Sequence, residues 1–178
     1  MSETTLKKFY TIMFLLVLIV GVWGFRTIQN SGTQAPILAN DFSVYESQVI
    51  WRDVEYGTMT ASLNNQEVTL AIAADQPRRR LGLSGVEELP QDYGMIFVFP
   101  EERPHGFWMK QMNFPIDIAW LNSDKKIVKI MNNVAPETFP TTFGAEVDSR
   151  YVIEVNAGFF ETYGVEFGQE VEFELPFE

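Results

Sequence analysis

Hydrophobic positions fall into two regimes along this chain. Residues 9–25 (FYTIMFLLVLIVGVWGF) form an uncharged run, preceded by Lys7 and Lys8 and followed by Arg26. As a helix at about 1.5 Å per residue, these 17 residues reach roughly 25 Å, enough to cross a bilayer core. No face of the segment is polar, which excludes an amphipathic core helix. No small-x-small cleavage site follows at the usual distance, so an uncleaved signal anchor is favoured over a signal peptide. The lysine pair assigns residues 1–8 to the cytoplasm and everything after Arg26 to the outside.

Beyond the anchor the pattern changes. Residues 27–40 are Gln, Asn, Ser, Gly, Thr and Pro with few apolar anchors, the text of a flexible stalk. Residues 41–57 set Phe42, Tyr45, Trp51 and Tyr56 among acids. They leave two readings open, an added strand or a segment lying along the domain. The organisation expected is residues 26–56 as linker with that added strand, then a globular domain over 57–178.

Within that domain the period is mostly two. Residues 59–63 and 67–73 flank Asn64-Asn65 and read as a hairpin. Asp75 caps a short helix with Pro77 in its first turn, running to about Leu83. Residues 94–99, 107–110, 116–122 and 126–134 read as strands, the last two joined by a turn at Ser123-Asp124. Residues 150–156 are another strand. Residues 157–163 make one or two helical turns ended by Gly164. In the final strand, 170–175, Glu170, Glu172 and Glu174 share one face and Val171, Phe173 and Leu175 the other, marking a solvated strand that protects an edge. The fold class is therefore mainly β, a compact sandwich- or barrel-like domain with one or two short helices behind a single transmembrane helix.

Composition removes whole classes of chemistry. With no cysteine among 178 residues, disulfides, thiolate catalysis and Cys-ligated metals are out. The net charge of −11 argues against nucleic acid, whose phosphates call for a basic footprint. Residues 36–178 hold 10 basic and 23 acidic side chains, and 136–178 hold ten acids against Arg150 alone. The preferred reading of this charge is solubilising surface; the other is a face that makes the domain stand off anionic lipid headgroups. His105, the single histidine, cannot build a multi-His metal site and reads as an exposed loop residue. No metal or cofactor is called for.

Among the residues that can do chemistry, Asp117 stands out. Its strand, Ile116 to Leu121, is otherwise apolar on both faces, with Ala119 and Leu121 on the side of Asp117. A carboxylate there must be paired, hydrogen-bonded or protonated. That suits a tuned acid or base, and it suits a structural acceptor of backbone N–H groups better. Glu154 alternates with Tyr151, Ile153 and Val155 and faces away from them, towards solvent; a hydrolytic pair with Asp117 is a weak alternative. Arg78, Arg79 and Arg80 are the one dense basic cluster outside the anchor. They form either an anion clamp or, preferably, an internal partner for the acidic C-terminal third or for Asp117. Residues 107–114 (FWMKQMNF) line a groove or pack the core, core being the default for about half of them.

The ordered set Arg79-x-x-Gly82-Leu83, Leu89-Pro90, Gly94-Met95-x-Phe97-x-Phe99, Phe107-Trp108-Met109-Lys110, Pro115-x-Asp117 and Glu154-Val155-x-Ala157-Gly158, with Gly164 and Gly168, resembles the domain-of-unknown-function 192 family of small bacterial and archaeal proteins. The resemblance covers residues 59–173 and implies a β-rich, sandwich-like fold, often behind an export signal or anchor. Arg79, Trp108, Lys110, Asp117 and Glu154 match family positions and are the candidate ligand-binding set. Where many members carry Gly-Leu-Met followed two residues later by Arg, this chain has Ser84 and Val86. Gln111 replaces a usual Asn, and the stretch 137–148 lacks the Cys pair of many relatives. The family has no established activity, so the resemblance implies fold and location without a reaction.

Three function classes follow. The first, and favoured, is a membrane-tethered extracytoplasmic binding or accessory module for a small polar ligand, a glycan, a peptide or an envelope protein. The second is a hydrolase or isomerase using Asp117, and the third a structural envelope protein.

Overall fold

The computed structural model describes residues 48–177. The proposed anchor at 9–25, its flank at 1–8 and the stalk as far as residue 47 lie outside the described residues. Among the described residues no helix is long and apolar enough to cross a membrane.

The chain order is β1 (Gln48–Trp51), β2 (Val54–Leu63), β3 (Gln66–Ala73), α1 (Gln76–Leu81), β4 (Tyr93–Pro104), β5 (Ile116–Leu121), β6 (Ile127–Val134), a 3-10 turn (Pro136–Thr138), β7 (Asp148–Asn156), α2 (Phe159–Tyr163) and β8 (Glu172–Phe173). The ambiguous stretch before Gly57 contributes a strand: β1 and β2 form a hairpin. Its two turn residues, Arg52 and Asp53, have positive φ, as do Asn64 and Asn65 between β2 and β3. Positive φ at both central positions is what a two-residue hairpin turn requires.

Eight strands build one mixed sheet in the order β1-β2-β3-β4-β7-β5-β6, with β8 paired to β2. Among the described strands only β3 and β4 run parallel. A parallel step needs a crossover, and α1 with residues 82–92 supplies it. Hydrogen bonds from Gly168 N to Ile127 O (2.9 Å), Ile127 N to Gln169 O (2.8 Å) and Val171 N to Lys125 O (3.0 Å) dock the C-terminal segment on the start of β6. Two residues later β8 pairs with Ala61 and Ser62 of β2. The ladder therefore closes on itself through residues 168–173. The predicted alternation holds there: Val171, Phe173 and Leu175 are buried and the three glutamates are exposed.

Both faces of the central strands are buried. One cluster holds Leu70, Ile72, Ile96, Val98, Ala119, Leu121, Ile153 and Val155. The other holds Ala71, Met95, Phe97, Ile116, Ile118, Trp120 and Val152 beneath the crossover and the β4–β5 loop. That is why GMIFVF, and IDIAWL apart from Asp117, read as continuous apolar runs. Residues 107–110, expected as a strand, make a single bridge, Phe107 to Phe143, and are otherwise loop. The reason is topological. β7 lies between β4 and β5, so this connection must pass over β7, and Gln111 takes a positive φ on the way.

Asp117 belongs to the first face and is wholly buried. Its Oδ1 accepts from Asn133 N at 2.7 Å and its Oδ2 from Phe160 N at 3.0 Å. Asn133 sits where the β5–β6 register shifts, with φ of 51°. Phe160 is in the first turn of α2, whose cap, Gly158, has no side chain to offer. The carboxylate thus satisfies one donor orphaned by a bulge and one orphaned by a helix start. Asp117→Ala strands both N–H groups and should lower unfolding free energy by about 3–5 kcal/mol. Denaturant titration at pH 7 checks this, and a loss below about 1 kcal/mol would mean water or a neighbour replaces the carboxylate.

Candidate functional site

The crossover and the β4–β5 loop are two walls over one stretch of sheet. They are tied to each other by Ser84 Oγ to Lys110 O (2.8 Å), Gly85 N to Gln111 O (2.7 Å) and Asn113 Nδ2 to Val86 O (2.8 Å). The far end of the loop is fixed from below. Trp120 Nε1 donates to His105 O at 3.0 Å, and Phe107 exchanges two 2.8 Å backbone bonds with Phe143. Gly144 next door has φ of +78°, and a Cβ there would lie 2.1 Å from the Trp120 ring.

Between these walls is an open cleft of about 360 Å³. The crossover contributes Gln76, Arg79, Arg80 and residues 81–84; β4 contributes Phe97, Phe99 and Pro104; the loop contributes residues 105–108 and Met112; β7 contributes Glu154. Phe97 and Phe107 meet edge to face, with ring centres 4.7 Å apart.

Glu154 is the unusual member. It faces away from Tyr151, Ile153 and Val155 as the alternation predicts, but towards a second core and not towards solvent. It stands opposite Met95 of β4 and Ile118 of β5 and is only 5% exposed. The sequence expectation of a solvated carboxylate is corrected here, because the loop over β7 covers it. Among the described residues it has no ion pair or hydrogen-bonded side-chain partner. Burial pushes its carboxyl up to about 8, so near neutral pH it carries a proton.

The remaining candidates divide. Arg79 reaches back to Ala74 O and, at 2.8 Å, to Val98 O, with its guanidinium 5.2 Å from the Phe99 ring centre. Desolvation lowers its pKa from the ordinary arginine value. Arg78 turns the other way, to Asp75, Glu55 O and the Tyr56 ring. Arg80 is exposed at the cleft mouth. The expected pairing of these arginines with the acidic C-terminal third or with Asp117 is corrected here: the partners found for Arg78 and Arg79 are Asp75 and backbone carbonyls of residues 55, 74 and 98. Trp108 is 53% exposed and meets Phe139 at 5.9 Å. Lys110 is exposed at the rim, its Nζ 5.6 Å from the centre of the Trp108 ring. Phe107, Met109, Met112 and Phe114 pack into the second core.

The structure thus brings Arg79, Trp108 and Glu154 to one cleft, with Lys110 beside it. Asp117 lies elsewhere: it is opposite Val155 in the register, so it and Glu154 point to opposite faces and cannot form a carboxylate pair. His105, read as exposed, is buried against Phe99, with stacked rings 3.4 Å apart and Nε2 3.3 Å from Glu101 O. The Trp120 bond to its carbonyl draws it in. Burial lowers its pKa, so it is neutral at pH 7. Phe97, Phe99, Arg80 and Met112 also line the cleft, although the candidate set leaves them out. Phe97 and Phe99 stand in the family motif, Arg80 in the basic cluster and Met112 in the 107–114 stretch, and nothing in the text of these separate segments says that they meet. Among the described residues no group of three His, Asp or Glu side chains could hold a metal.

The chain belongs to the domain-of-unknown-function 192 family, DUF192, described as Uncharacterized ACR, whose model matches residues 58–173. A provisionally described transcription regulator from Sinorhizobium meliloti is 30% identical, with a TM-score of 0.63 over 66% of this chain and 95% of that one. A protein of unknown function from Novosphingobium aromaticivorans is 22% identical, with a TM-score of 0.61 over 81% of this chain and 99% of that one. No protein of curated function matches the chain.

Glu154 makes stability fall with pH. The folded state holds a proton up to about pH 8 that the unfolded chain releases near 4.5. Its contribution is full below 4.5, declines from there upward, and is gone above about 8. Glu154→Gln should match the parent near pH 4.5 and exceed it by as much as roughly 4 kcal/mol at pH 9. Parallel denaturant curves at the two pH values measure the difference, and an equal gap at both would remove the buried proton from the account.

Proposed function

We propose that this protein is a non-catalytic binding module, tethered to a membrane by residues 9–25 and displayed outside the cytoplasm, whose cleft takes a small polar ligand. The observation that carries the reading is Glu154: a buried carboxyl in an open, aromatic-lined cleft, without a partner among the described residues. Leaving such a group unpaired costs about 1–3 kcal/mol, and a ligand that hydrogen-bonds to it recovers that cost. Half-exposed Trp108 offers a surface for stacking at the mouth.

An acid–base role for Asp117 has no support, since both its oxygens are engaged and it has no access to solvent. A nucleic-acid partner, which the description of the Sinorhizobium protein would suggest, fits poorly with a net charge of −11. The anchor reading rests on the uncharged text of residues 9–25 and the basic residues around it.

Thermal unfolding of the full chain in detergent, against panels of saccharides, organic acids and short peptides, tests the module. A true ligand at about a hundred times its Kd should raise the midpoint by roughly 5 °C or more, and Trp108→Ala should weaken it several-fold. If no compound shifts the parent protein, the cleft is a packing feature and the protein is structural.

A further inference from the structure

The charges around the cleft run against the sign of the protein. Residues 36–178 carry 10 basic and 23 acidic side chains. Among the described residues, the ionisable groups lining the cleft are Arg79, Arg80, His105 and Glu154. Burial holds His105 and Glu154 neutral near pH 7. What remains charged is cationic, with Lys110 adding to it at the rim. A concave site with low-dielectric walls focuses that field, so the cleft attracts anions although the rest of the surface repels them.

The cations are not equivalent. Arg79 is held by Ala74 O and Val98 O and gives a fixed charge. Arg80 is exposed at the mouth and, among the described residues, has no ion pair or hydrogen-bonded partner, so its donors are free for a ligand. Buried in the same cleft, the protonated Glu154 carboxyl both donates and accepts. A hydroxyl complements it on both counts, whereas a carboxylate there could only accept. Phe107 and Trp108 add aromatic surface to the same lining, of a kind on which the C–H face of a sugar ring packs.

We propose that the cleft binds a small hydroxylated ring bearing an anionic substituent, with the anion at Arg80, the ring against Trp108 and a ring hydroxyl on the Glu154 carboxyl. The chemistry is that of a uronate or a sugar phosphate. This rests on the binding reading above and specifies its ligand.

The test is ligand-observed NMR titration of the full chain in detergent with four probes: glucuronate, glucose 6-phosphate, glucose and benzoate. Either anionic sugar should bind at least about tenfold more tightly than glucose, which lacks the charge, and than benzoate, which lacks the hydroxyls. Whichever of the two is tighter tells a carboxylate from a phosphate source. Arg80→Gln, a surface change that spares the fold, should weaken the tighter one about tenfold. The pH arm uses glucuronate, whose charge is constant above pH 6. Around Glu154 the groups to consider are Arg79 and Arg80 from α1 and His105 and Lys110 from the loop; β4 and β5 present Met95, Phe97 and Ile118, which do not titrate. As Glu154 ionises, it loses the O–H that donates to the ring hydroxyl, and a negative charge enters the cleft that holds the anion. Glucuronate binding should therefore fall at least about threefold from pH 6.5 to 9 in the parent and stay level in Glu154→Gln. Glucose or benzoate binding as tightly as the anionic sugars would overturn this proposal and leave the binding module standing. The same holds if only an unrelated compound of the wider panels binds. No binding by any compound would remove both.

Discussion

The Asp117 carboxylate is the interaction on which the rest of the domain depends. It is fully buried on the inner face of β5 and is shared between a strand irregularity and a helix start. β6 can bulge at Asn133 because the N–H that loses its ladder partner finds Oδ1. α2 can begin at a glycine cap because Oδ2 arrives from another strand. α2 in turn sets Phe159 and Phe160 into the inner core and leads the chain to residues 168–173, which join β6 to β2. Three elements distant in sequence are aligned by one side chain, and the closure of the sheet lies downstream of it.

The cleft is a consequence of topology on the other face. One parallel pair, β3 with β4, obliges a crossover, and β7 lying between β4 and β5 obliges a second connection over the sheet. The two connections are tied together at Ser84, Gly85 and Asn113, and they leave a gap above β7 where an inward-facing residue would otherwise be sealed in. That residue is Glu154. The two carboxylates of the strand text have therefore separate physical fates: Asp117 is satisfied by the backbone, and Glu154 has no hydrogen-bond or ion-pair partner among the described residues. The first is architecture and the second is available for a ligand.

Much of this was legible in the residues themselves. Asn64-Asn65, Asp75 with Pro77, Ser123-Asp124 and Gly164 marked their turns and caps because each imposes local backbone geometry. The text of β5, apolar on both faces apart from Asp117, points to burial on both faces, and Asp117 within it points to a structural acceptor. What failed were predictions that depend on what lies above a strand. Glu154 was placed on the correct side of β7, but its covering loop comes from residues some forty positions earlier, so its burial could not be read from alternation. His105 was placed in solvent because a Pro-His-Gly loop is usually exposed; its burial hangs on Trp120, a strand residue whose Nε1–H needed an acceptor. Residues 107–110 looked like a strand because Phe, Trp and Met favour one, and the requirement to pass over β7 overrode that preference.

The central claim is that Glu154 holds a proton inside an open cleft. The most direct measurement is a pH titration of the protein carrying carbon-13 at glutamate Cδ, followed by NMR, with Glu154→Gln to assign the resonance. An apparent pKa of about 8 for the missing signal is the result this account predicts. A value near the ordinary 4.5 would mean the carboxyl is charged and solvated, and the cleft would lose the group around which it is organised.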